Sequence, residues 1–127
     1  MFQDTETFFS ISVDDLQRAH DFYTNILGLP VQRLPQGLSI SLHGGGRMFA
    51  YAKEDHTPAT FTVLNFKVQD LEGVVAELKK RGVTFEQYNQ GHVKTDEQGI
   101  ARGNGHGPDI AWFKDPAGNF ISVLTEH

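Results

Sequence analysis

The sequence predicts an α+β chain made of two tandem βαβββ modules, and three observations predict it. Short runs of β-forming, alternating residues are separated by turns rich in Gly, Pro and Asp. The order strand, helix, strands occurs twice along 127 residues. Two stretches also paraphrase each other: HGGGRMFAYAKE at 43–54 and DPAGNFISVLTE at 115–126. Each is a turn followed by an apolar run that ends in Glu.

The elements follow in order. TFFSISV (7–13) alternates and reads as a strand. Asp14 and Asp15 supply an N-cap and a first-turn carboxylate for a helix over LQRAHDFYTNILGL. Leu16, Ala19, Tyr23, Ile26 and Leu27 fall at helical spacing there, with Gly28 past the end and Pro30 forbidding continuation. VQRL (31–34), LSISLH (38–43) and RMFAYAKE (47–54) are strands, the last two joined through GGG. DHTPAT (55–60) has the composition of a linker. The order then repeats: FTVLNFKV (61–68) as strand, Asp70 capping LEGVVAELKKR, Gly82 ending that helix, VTFEQY (83–88) as strand. DIAWFK (109–114), DPAG and NFISVLTE close the chain as a hairpin.

The two halves align in pieces. SVDDL (12–16) matches KVQDL (67–71) at an offset of 55, and the hairpins match at an offset of 72. The difference falls in a polar loop, roughly 89–108, long enough to expect a functional or mobile segment. Module 1 therefore occupies about 1–55, a linker about 55–60, and module 2 about 61–127 of a single domain.

Composition excludes several classes. The formal net charge is −5, and the eleven Lys and Arg form no stripe suited to nucleic acid. No 18-residue apolar run offers a membrane span, and MFQDTETFF lacks a basic signal-type start. With no Cys there are no disulfides, thiolate metal sites or Cys nucleophiles. These features predict a cytoplasmic protein without nucleic-acid or membrane partners.

The segments SVDDLQRAHDFYTNILGLPV, FKVQDLEGVVAELKKRGV and AWFKDPAGNFISVL give the chain its family likeness. Along essentially its whole length it resembles the vicinal oxygen chelate superfamily, which includes glyoxalase I, bleomycin-resistance proteins and extradiol dioxygenases. The resemblance implies that the modules' sheets curl into a half-barrel around a cavity, helices outside, with a homodimer as the common assembly. It also implies four metal-ligand positions in many members, one on the first and one on the last strand of each module. Here those positions fall on Phe8, Val63, Ala50 and Ser122. Divalent ions need carboxylate oxygens or imidazole nitrogens, so no metal and no cofactor is expected there. A shift of one residue brings in only Thr7, Phe9, Thr62, Leu64, Phe49, Tyr51, Ile121 or Val123.

Strand parity predicts what lines the cavity. Phe9, Ile11 and Val13 pack under a helix, as do Leu64, Phe66 and Val68, and Leu38 and Ile40 with Leu42. Facing inward are Phe8, Ser10, Ser41, His43, Met48, Ala50, Val63, Asn65, Phe113, Phe120 and Ser122, the expected ligand-binding set. Hairpin matching sets Phe113 on Ser41's face and Trp112 on Ile40's. Such a mixed lining suits a small organic molecule, or equally a solvated concave surface with no ligand.

Glu54 and Glu126 stand at strand ends, as rim bases or solvated carboxylates. His20 lies in a helix, and His56 and His127 lie in the linker and at the terminus. His43, His92 or His106 with Glu86 or Asp109 would be the donors of any displaced metal site, but they lack close spacing. GNGHG does not open a helix and is not a dinucleotide motif, and there is no G-x-S-x-G elbow. No catalytic residue is assigned. Three readings stand: a metal-independent small-molecule-binding protein sequestering a toxic or antibiotic-like compound; a lyase, isomerase or dioxygenase with a displaced metal; and a structural or partner-binding module with a filled cavity.

Overall fold

Two open four-stranded sheets carry the fold, one in each of two units. A computed structural model describes residues 1–126, and the units divide between Pro58 and Ala59. The first unit runs β1 (Phe9–Val13), α1 (Leu16–Asp21), a π-helical turn (Phe22–Ile26), β2 (Val31–Leu34), β3 (Gly37–Ser41) and β4 (Arg47–Ala52). Its strand order is β1-β4-β3-β2, with β1 parallel to β4 and the other pairs antiparallel. The second runs β5 (Thr62–Lys67), α2 (Leu71–Lys80), a small hairpin β6 (Asn89–Gln90) and β7 (Val93–Lys94), then β8 (Ile100–Ala101), β9 (Asp109–Lys114) and β10 (Phe120–Thr125). Its order is β5-β10-β9-β8, again with one parallel pair.

Each helix begins on the carboxylate that the sequence marks. Asp15 accepts from the Arg18 N–H and Asp70 from the Gly73 N–H, both at 3.1 Å. These satisfy amide donors that an α-helix leaves open at its start. Leu71, Val75 and Leu78 are the buried stripe of α2, which packs on β9 and β10. Full burial of each such side chain stabilises by roughly 1.5–3 kcal/mol. Ile11, Val13, Leu38, Ile40, Met48 and Ala50, with Ala19 and Tyr23 of the first helical segment, form the packed side of the first unit.

Two sequence expectations are corrected. Residues 83–88 do not form a strand; only Phe85 bridges, to Phe113. The fourth strand of the second sheet is β8, drawn from the segment read as loop.

The larger correction is one of register. Leu42 N–H bonds Gly46 C=O at 2.8 Å, and Asp115 N–H bonds Asn119 C=O at 2.9 Å. Gly45 and Gly118 hold the same left-handed conformation, φ 86° and 85°, which glycine adopts without a Cβ penalty. The two hairpins are therefore the same turn, related by 73 positions and not 72. A slip of one residue exchanges the two faces of a strand. Met48 and Ala50 lie in register with Ile40 and Leu38, and with Phe9 and Ile11, on the packed face. Phe113 pairs with Ile121, is 0% exposed and packs edge-to-face on Phe85 at 5.5 Å. Trp112 takes the opposite face, beside Ser122.

Candidate functional site

The face of each sheet away from the packed apolar residues carries the chemistry. In the first unit Ser10 stands in register with Phe49, and Ser12 with Tyr51. Ser39 and Ser41 oppose Phe49 and Arg47. Phe8 meets Phe49 edge-on at 6.4 Å, and Phe49 stacks on Tyr51 at 6.2 Å. The Ser12 hydroxyl lies 2.6 Å from His56 Nδ1. In the second unit Ser122 faces Asn65 and Trp112, and its hydroxyl donates to Asn65 Oδ1 at 2.5 Å.

A hollow opens on this face in each unit. The first, about 320 Å³, is lined by Glu6, Thr7, Phe8, Leu34, Ser39 and Arg47, with Phe49 as a wall and buried Met48 at its floor. The second, about 340 Å³, is lined by Phe61, Thr62, Tyr88, Trp112 and Phe120, with Thr60, Gln90 and Val93 at its margin. The hollows occupy corresponding places in the repeat. Thr7 corresponds to Thr62 and Glu6 to Phe61, while Ser39 corresponds to Trp112 and Arg47 to Phe120. One copy is charged and the other aromatic.

The aromatic hollow has ordered walls. The Tyr88 and Trp112 rings meet edge-to-face at 5.6 Å, a favoured arrangement of ring quadrupoles. The Lys114 ammonium lies 5.1 Å over the Phe120 ring and 3.6 Å from Glu86. Burial, and then the nearby Glu86 charge, raise the Tyr88 phenol above its ordinary pKa. The Glu86 N–H bonds the Trp112 carbonyl at 2.8 Å, which ties the Tyr88 segment to β9.

The expected ligand set is thus divided. Phe8 lines the first hollow and Phe120 the second, while Ser122 and Asn65 are joined to each other. Ser10 and Ser41 are exposed on their sheet, and His43 is exposed in the 3-10 turn after β3. Val63 sits where the β5–β10 register shifts. Met48, Ala50 and Phe113 are packed residues. Trp112, Tyr88, Phe61 and Phe49 were missing from that set. The hairpin register, once set by the shared glycine conformation, is the signal that finds Trp112 and Phe49.

The metal-ligand positions implied by family likeness do not fit an ion. The corrected register puts Phe49, not Ala50, opposite Ser122 in the repeat, so the four side chains are Phe8, Phe49, Val63 and Ser122. Three offer no donor atom, and the fourth is a neutral hydroxyl bonded to an amide. Elsewhere, Glu86 pairs with Lys114, Glu126 with Lys67 at 3.3 Å, and Asp109 with Arg102 at 3.5 Å. His92 and His106 are exposed and Glu54 lies beyond the end of β4. Among the described residues no three His, Asp or Glu side chains converge; His127 lies outside them. Nor is any helix among them long and apolar enough to cross a membrane.

The segment 89–108 is built, not structureless. Besides β6, β7 and β8, Asp96 accepts from the Gln98 and Ile100 N–H groups at 2.9 and 3.0 Å. Arg102 reaches Glu72 at 3.0 Å and Asp96 at 3.2 Å, which ties the segment to the start of α2.

A family model described as Glyoxalase/Bleomycin resistance protein/Dioxygenase superfamily matches residues 7–123. No curated protein matches the chain in sequence. Among solved structures, a glyoxalase family protein from Enterococcus faecalis is 22% identical with a TM-score of 0.69, covering 98% of this chain and 99% of its own. TnmS3, an antibiotic binding protein from Streptomyces sp. CB03234, is 21% identical with a TM-score of 0.64, covering 98% and 99%. The genomically encoded fosfomycin resistance protein FosX from Listeria monocytogenes is 15% identical with a TM-score of 0.70, covering 98% and 94%. At these identities the likeness is one of fold.

Proposed function

This chain belongs to the Glyoxalase/Bleomycin resistance protein/Dioxygenase superfamily, and from that premise we propose that it binds a flat organic molecule without a metal at the family positions. Its role on this reading is to sequester a toxic or antibiotic-like compound. The observation that carries the proposal is the hollow walled by Phe61, Tyr88, Trp112 and Phe120. Four aromatic side chains around about 340 Å³ fit the usual form of a ligand pocket, apolar walls with a few polar groups. Thr60, Thr62 and Gln90 supply those polar groups. Three donor-less side chains and one hydroxyl already bonded to Asn65 at the metal positions leave binding to stacking and hydrogen bonds. That TnmS3 is an antibiotic binding protein and FosX a fosfomycin resistance protein favours this role among the activities the fold supports.

β1 and β5 each end their own sheet, a position that favours pairing with a second strand, and we propose a homodimer on that ground. The binding proposal is tested by thermal-shift screening of flat aromatic, antibiotic-like and metabolite compounds, in EDTA and again with Zn²⁺ or Mn²⁺. A ligand at a hundred times its Kd adds about 2.7 kcal/mol of stability. At least one compound is expected to raise Tm equally in both conditions. A screen in which none does, or one in which every shift needs metal, overturns the proposal.

A further inference from the structure

We infer that the first unit holds a second binding site, for a zwitterionic α-amino acid with an apolar side chain. The two copies of the hollow differ in chemistry. Where the second unit has Phe61, Trp112 and Phe120, the first has Glu6, Ser39 and Arg47. One cation, one anion and one hydroxyl replace three aromatic rings at corresponding positions.

These groups are uncommitted. Among the described residues neither Arg47 nor Glu6 belongs to an ion pair. The hydroxyls of Ser39 and Thr7 make no hydrogen bond there either. Ser39 is 9% exposed and lines the hollow. Most other charged residues with side chains on these sheets are paired, Lys114 with Glu86 and Lys67 with Glu126.

Both signs of charge line one hollow, so a purely anionic ligand would meet Glu6 and a purely cationic one Arg47. A zwitterion satisfies both. Its carboxylate takes the planar guanidinium of Arg47 and a hydroxyl of Ser39, the geometry to which arginine is suited. Its ammonium takes Glu6. The remaining wall, Phe8, Leu34 and Phe49, receives an apolar side chain. Phe8 is 67% exposed, and a ligand there would cover a ring otherwise left in water.

The test is an NMR titration of ¹⁵N-labelled protein with L-phenylalanine, L-phenylalaninamide and N-acetyl-L-phenylalanine. L-Phenylalanine is expected to shift the amides of Phe8, Arg47 and Phe49 saturably. Removing the ligand's carboxylate charge or its ammonium charge is expected to weaken binding roughly ten- to a hundredfold. Arg47→Gln should abolish the preference for the acid over the amide, and Glu6→Gln the preference for the free amine over its acetylated form. Both positions are exposed, so neither variant threatens folding. No saturable shift at those amides, or equal binding of all three compounds, overturns the inference. So does an Arg47→Gln variant that keeps the preference. Trp112 fluorescence in the same samples reads the other hollow, so failure here is distinguishable from failure of the aromatic site.

Discussion

Ser122 and Asn65 face each other across the parallel pair of β5 and β10, and the buried Ser122 hydroxyl donates to the Asn65 amide oxygen at 2.5 Å. Ser122 is a position that family likeness would give to a metal ligand. Here it belongs to an internal hydrogen bond, and Phe8, Phe49 and Val63 complete a set with nothing to offer an ion. Protein purified without a His-tag and challenged with Ni²⁺, Zn²⁺, Mn²⁺ and Fe²⁺ is expected to retain under roughly a tenth of an equivalent by elemental analysis. Near-stoichiometric retention would reverse the reading. Ser122→Ala should lower stability by about 0.5–1.5 kcal/mol in urea unfolding. The loss falls toward the lower end because Asn65 is exposed and water replaces the lost bond.

Tyr88 walls the aromatic hollow through its edge-to-face contact with Trp112. Tyr88→Ala is expected to weaken a compound found by screening by about 0.5–1.5 kcal/mol, roughly two- to tenfold, as measured by calorimetry. Tyr88→Phe should keep most of the affinity. Equal affinity in Tyr88→Ala would place the compound elsewhere.

The fold was legible where local chemistry decides it. Asp15 and Asp70 cap helices because carboxylates at those positions satisfy open amides, and the alternating runs other than 83–88 are strands. The site was legible only in part. HGGG and DPAG look alike with their last glycines aligned, yet the matching left-handed residues are Gly45 and Gly118. Letters do not report φ, and the slip moved Met48, Ala50 and Phe113 onto the wrong face. Asn65, Ser122 and Phe120 share one face of their sheet, which parity within each strand is enough to give. The edge strand Ile100–Ala101 was hidden for another reason. Two residues set no periodicity, and pairing with β9 decides their conformation.

Tyr88 also predicts an alkaline response. Its pKa is raised by burial and then by Glu86, so the folded protein holds the phenol proton more tightly than the unfolded chain does. That contribution to stability is complete below the ordinary tyrosine pKa and is lost as pH rises through the folded value. Tm should fall above about pH 10, and fall less steeply in Tyr88→Phe. Identical slopes in the two proteins would contradict this.

Asp96 predicts the acid response of segment 89–108. Desolvation opposes its ionisation, but the Ile100 and Gln98 amides and the Arg102 guanidinium outweigh it, and its pKa lies below the ordinary value. The stability it contributes is present above the unfolded carboxylate pKa and is lost as pH falls through the folded one. Hydrogen exchange at Ile100 should therefore quicken relative to the α2 core below about pH 4. Arg102→Ala should quicken it already at neutral pH, with a global cost of only about 0.2–1 kcal/mol because the ion pairs are exposed. Unchanged exchange in that variant would show that the clamp does not hold the segment.

Light scattering at high concentration is expected to give twice the chain mass, and a monomer mass would contradict the proposed pairing.

Trp112 is the only tryptophan in the sequence, so its emission reports the aromatic hollow alone. The most direct measurement is a titration of that emission with a compound from the thermal screen, in EDTA and in excess Zn²⁺. Saturable quenching with one Kd is expected in both buffers. A compound that binds by calorimetry yet leaves Trp112 unchanged, or one that quenches it only when metal is present, would contradict it.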